Sequence, residues 1–124
     1  MIADIVKLAQ ELTGIRETLR GAKRDKRDRL AAYLQQISAC LDDASQDLRA
    51  GGSATRACGQ LHQYAELIPQ TIDDTLARER TDALREGLRA ALYVRGIPHP
   101  TREQLDQLNW AAGSFAALSD YLRV

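Results

Sequence analysis

Apolar residues recur along this chain at steps of three and four, and that spacing narrows its possible folds more than any other property. Leu30, Tyr33, Leu34, Ile37, Leu41, Ala44 and Leu48 form the longest such series. They place one apolar stripe on a helix predicted over residues 23–49. Ile2, Ile5, Val6, Ala9, Leu12, Ile15 and Leu19 repeat the device over residues 3–20, with Gly21 as the stop. No stretch alternates apolar and polar residues long enough for a good strand, and Ala, Leu, Arg, Gln, Asp and Glu dominate the rest. An all-α fold is the expectation.

The breaks between stripes set the number of rods. "AGGSAT", residues 50–55, ends the second helix, and Gly51 is placed to cap it. A third helix carries Ala57, Cys58, Leu61, Tyr64, Ala65 and Ile68 and should stop near Pro69, because a proline holds the residue before it extended. Beyond it, Ile72, Leu76, Leu84, Leu88 and Leu92 mark a helical segment with a polar gap between Leu76 and Ala83. That gap predicts a short helix, a kink near residues 78–81 and a longer helix to Gly96. "GIPHP" reads as a loop. Thr101 with Gln104 is a capping box for a last helix bearing Leu105, Leu108, Ala112, Phe115, Leu118 and Leu122. Four main helices and one or two short ones, in one domain over residues 1–124, are expected to form an antiparallel bundle.

Bulk charge excludes a global field: Lys plus Arg and Asp plus Glu both number 17. A charged binding surface would therefore be local. No apolar run approaches the roughly 20 residues needed to cross a bilayer. Cys40 and Cys58 are the only cysteines, and no charged leader with an apolar core opens the sequence. Both point to a cytoplasmic protein. No cofactor is expected, since phosphate-binding glycine loops, zinc-protease motifs and calcium loops are missing from the sequence.

Three groups of residues are candidates for function. Lys23, Arg24, Lys26, Arg27 and Arg29 concentrate positive charge, with Arg20 just before them. Phosphate binding is one use of such a run, but no aromatic side chains interleave with it for base stacking, which disfavours nucleic acid. Asp25 and Asp28 stand four residues from Arg29 and Arg24, so helical ion pairs are expected to neutralise part of the charge. Cys58 and His62 share a helix face and could serve as two metal ligands or a thiolate and its base, yet no third orienting group is recognisable. The first helix, finally, is amphipathic enough to lie on a membrane, although Asp4, Glu11 and Glu17 share its polar face with Lys7, Arg16 and Arg20. Trp110 and Tyr121, on the last helix, could be interface anchors, but a single Trp in a bundle reads first as core.

The stretches "KRDRLAAYLQQISACLDDASQDLRAG" and "ACGQLHQYAELIPQTID" resemble a recurring helical accessory module of bacterial proteins, through Arg27, Arg29, Tyr33, Leu48, Arg49, Gly51, Cys58, Leu61, Tyr64 and Pro69. The likeness covers about residues 26–76. It implies an all-helical domain placed beside ATPase, peptidase or caspase-like units of signalling and defence systems, where it recruits or oligomerises partners. With that, the leading expectation is a non-catalytic module that binds a protein partner or itself. Its docking face would be Arg20, Lys23, Arg24, Arg27 and Arg29, meeting an acidic surface such as Asp42, Asp43 and Asp47. A membrane-active effector using the first helix, and a small enzyme or metal protein centred on Cys58 and His62, are the alternatives.

Overall fold

The computed structural model describes residues 2–66, 68, 78–91 and 99–124. Six helices and no strand occur among them: α1 (Ile2–Gly14), α2 (Arg16–Arg20), α3 (Arg24–Arg49), α4 (Thr55–Glu66), α5 (Arg78–Ala91) and α6 (Arg102–Arg123). The all-α expectation holds. Pro69, Ile72, Leu76, Leu92, Gly96 and the short helix expected over residues 70–77 lie outside the described residues.

Helix neighbours form a closed ring, in which α1 packs on α6, α6 on α3, α3 on α4, α4 on α5 and α5 back on α1. Among the described residues, the stripes read from the sequence turn inward. Ile5, Leu30, Leu34, Ile37, Leu41, Leu61, Leu84, Leu88 and Phe115 are fully buried in one cluster. Burying each such side chain stabilises the fold by roughly 1.5–3 kcal/mol.

The most extensive contact joins α3 to α6. Small residues permit it: Ala31, Ala44, Ala111 and Ala112 are buried at the seam, with Ser38, Ser45 and Ser119 among them. Ser38 Oγ donates to the Ala112 carbonyl at 2.7 Å, Ser119 Oγ to the Ala31 carbonyl at 2.6 Å, and Ser45 Oγ to Asn109 Oδ1 at 3.0 Å. As the α3 number rises its α6 partner falls, so the two rods are antiparallel. Tyr33 Oη to the Tyr64 carbonyl and Cys40 Sγ to the Ala57 carbonyl give α3 and α4 the same relation.

Helix ends follow the local chemistry. Thr101 Oγ1 accepts from the Gln104 amide at 3.1 Å while Gln104 Oε1 accepts from the Thr101 amide at 2.9 Å, the reciprocal box expected there. After α3, Gly51 takes φ +81, and the amides of Gly52 and Gly51 bond back to the carbonyls of Asp47 and Leu48. This is the left-handed helix stop that glycine supplies without Cβ strain.

Two expectations require correction. The first helix is two, because Ile15 sits at φ −110, ψ 17 and its amide reaches only to Leu12. Gly14 adds no helical preference there, and Thr13 Oγ1 bonds back to the Ala9 carbonyl, a contact that bends helices. The longer helix expected after the polar gap is α5, helical from Arg78, and Thr81 is buried on the same face as Leu84 and Leu88; the junction with the expected short helix lies outside the described residues. Trp110 is not core but 49% exposed. It stands two residues from both Leu108 and Ala112, roughly 200° from each around the helix.

Candidate functional site

The basic run occupies the start of α3, and helical register divides it. Arg27 precedes Leu30 by three residues and Leu34 by seven, so it points toward the core, where its Nε is buried without a hydrogen-bond partner. Arg29, two residues on, emerges on the opposite side and is exposed, as are Lys23 and Arg24; Lys26 is half-buried. Arg20 leaves the group altogether. Its guanidinium lies 4.9 Å from the centroid of the Tyr121 ring, and its Nη2 donates to the Val124 carbonyl at 3.2 Å. That contact ties α2 to the end of α6, where a cation also suits the negative end of the helix dipole.

The five residues expected to form one docking face therefore serve three places. Lys23, Arg24 and Arg29 stay outside, Arg27 turns in, and Arg20 clamps α6. The helical ion pairs expected from Asp25 to Arg29 and from Arg24 to Asp28 do not form. None of Lys23, Arg24, Lys26, Arg27 and Arg29 enters an ion pair among the described residues, in contrast to Arg49 with Asp106, Arg85 with Asp82, and Arg89 with Glu66 and Glu86.

Asp42, Asp43 and Asp47 are exposed near the other end of α3. A cavity of about 190 Å³ beside them is lined by Asp43, Gln46, Asp47, Arg56, Ala57 and Gln60. Exposed cations thus gather toward the start of α3 and carboxylates toward its end, although Asp25 in the first turn and Arg49 in the last suit the helix dipole. Lys23 at the N-cap offers no side-chain acceptor.

Cys58 and His62 share one side of α4, as their spacing predicts, with Cys58 half-buried against the core and His62 exposed. Cys40 is buried on α3, where its Sγ donates to the Ala57 carbonyl and to Gln60 Oε1, each at 3.4 Å. Burial, then the charge of Asp43 and the neighbouring Cys58, pushes the Cys40 thiol up to about 12. A thiol held protonated is a poor nucleophile and a poor metal ligand at neutral pH. Among the described residues no group of three or more His, Cys, Asp and Glu is placed to hold a metal ion. The apolar stripe of α1 that a membrane would take up, Ile2, Ile5, Leu8, Ala9 and Leu12, is buried in the bundle.

Sequence reasoning missed two surfaces: Trp110 on the outer side of α6, and the exposed row along α3 that includes Gln36 and Ala39. Both were readable from helical register alone. Comparison with known protein families, with curated proteins and with solved structures finds no match. No helix among the described residues is long and apolar enough to cross a membrane.

Proposed function

We propose that this chain is a non-catalytic protein-binding module whose docking surface is the exterior of α3. The observation that carries this reading is the unpaired state of Lys23, Arg24 and Arg29 in spite of two carboxylates within helical reach. Exposed cations without intramolecular partners suit a surface that meets complementary charge on another protein. The resemblance of residues 26–76 to bacterial accessory modules supports a place as a cytoplasmic adaptor beside a signalling or defence enzyme. Arg20 and Arg27 are set aside from the surface because Arg20 is held against α6 and Arg27 is turned toward the core.

The variant Arg24→Glu/Arg29→Glu tests the proposal. Its far-UV circular dichroism should match the wild type, and its association with protein, whether itself by light scattering or a cellular partner by cross-linking, should weaken at least about tenfold. Equal association by the variant, or a wild type that associates with no protein at all, overturns it.

A further inference from the structure

The outer side of α3 carries a second periodic row, distinct from the buried stripe. Asp25, Arg29, Ala32, Gln36, Ala39, Asp43 and Gln46 follow one another at alternating steps of four and three. All are exposed except the half-buried Ala32. That spacing is the seam of a helix pair, here with small or uncharged residues at its centre and charge at its ends. The row is about 32 Å long at helical rise.

Resting on the protein-binding reading above, we propose that the occupant of this seam is α3 of a second copy, lying antiparallel across a two-fold axis. The charges are self-complementary only in that sense. Setting Ala32 of one copy against Ala39 of the other brings Arg29 to the turn carrying Asp42 and Asp43, Arg24 to Asp47, and Asp25 to the amide of Gln46. The two-fold repeats each contact. Within one chain the same charges cannot meet: Arg29 and Asp43 lie about 21 Å apart along the helix, well beyond the screening length of about 8–10 Å. Ala32 and Ala39 at the crossing keep the rods close, and Gln36 meets its own counterpart with a donor and an acceptor on each side. A single-helix seam buries less than the roughly 800 Å² per partner of a standard interface, so the pair forms at high concentration and dissociates on dilution and in salt.

Charge exchange on the full chain decides the matter, read by sedimentation velocity over a concentration series at low and high salt. The wild type should dimerise reversibly, more weakly in high salt. Arg29→Glu alone and Asp43→Arg alone should each weaken the dimer at least about tenfold, by setting like charges across the axis. An equimolar mixture of the two variants should recover it, as should the double variant Arg29→Glu/Asp43→Arg, because each again faces opposite charge. Helicity by circular dichroism shows that each variant is folded. A dimer untouched by these changes but lost in Trp110→Ala would place the interface on α6 and overturn the proposal, as would single variants that no mixture rescues. A wild type monomeric at every concentration overturns the self-pairing alone; if Arg24→Glu/Arg29→Glu then still loses a cross-linked partner, the broader protein-binding reading stands.

Discussion

Thr81 Oγ1 and Arg27 Nε are buried polar atoms with no hydrogen-bond partner. The two residues differ in what can be done about it. Arg27 is half-buried with a charge that must be kept hydrated, whereas Thr81 is 4% exposed and neutral, so its hydroxyl contributes only a desolvation cost. Valine has the same branched shape and similar helical preference without the hydroxyl. Thr81→Val should therefore stabilise the protein by about 1 kcal/mol, seen as a higher urea midpoint at unchanged slope. A lower midpoint would mean that the hydroxyl is satisfied in solution. This threonine also shows what a polar gap in a stripe conceals: counted as polar, it interrupts the apolar series, although position 81 keeps the register of Leu84 and Leu88.

Among the helices, what the sequence disclosed was whatever depended on one element alone. The inward stripes, the Thr101 capping box and the Gly51 stop are local, since each requires only spacing within a turn or two. The direction of a cation is equally local, but Arg27 and Arg29 were grouped by nearness along the chain when register sets them roughly 200° apart. What pairs with what across a seam is not local, so the bonds of Ser38 to an α6 carbonyl and of Ser119 to an α3 carbonyl left no mark in composition. The seam between α3 and α4 adds a pH dependence of the same non-local origin. Burial raises the Tyr33 hydroxyl and brings the Cys40 thiol to about 12 from an ordinary value near 9. The folded state then holds protons that the unfolded chain releases, so stability is complete below pH 9 and falls as pH rises toward 12. For Cys40 the slope approaches, at most, about 1.4 kcal/mol per pH unit. Cys40→Ala should flatten the alkaline limb of a thermal-melting profile while leaving the neutral and acidic limbs parallel to wild type; an alkaline limb of unchanged steepness would remove Cys40 from the account.

At the scale of the whole molecule, the ring of helices closes where α5 meets α1, and one glycine sets the distance. A Cβ at Gly87 would stand 2.9 Å from Leu8 Cδ2 and 3.4 Å from Leu8 Cβ. A cavity of about 260 Å³ lined by Leu8, Ala83 and Gly87 gives the Leu8 Cδ2 some room to swing, but its Cβ is fixed to the α1 backbone and cannot withdraw. Two effects of opposite sign thus compete in Gly87→Ala. Helical preference favours alanine by about 1 kcal/mol, while an added methyl that meets a fixed neighbour costs roughly 1–3 kcal/mol. Close approach decides the outcome, and the substitution should destabilise the wild-type bundle. In a Leu8→Ala background the obstructing methyl groups are gone and only the Cβ contact at 3.4 Å remains, so helical preference prevails. There the same Gly87→Ala change should stabilise, although Leu8→Ala itself costs roughly 2–5 kcal/mol. Urea denaturation of the four proteins in this cycle measures the reversal as a coupling between residues 8 and 87. Additive effects would mean that α1 and α5 do not approach this closely, and the ring of contacts would then be open at that edge.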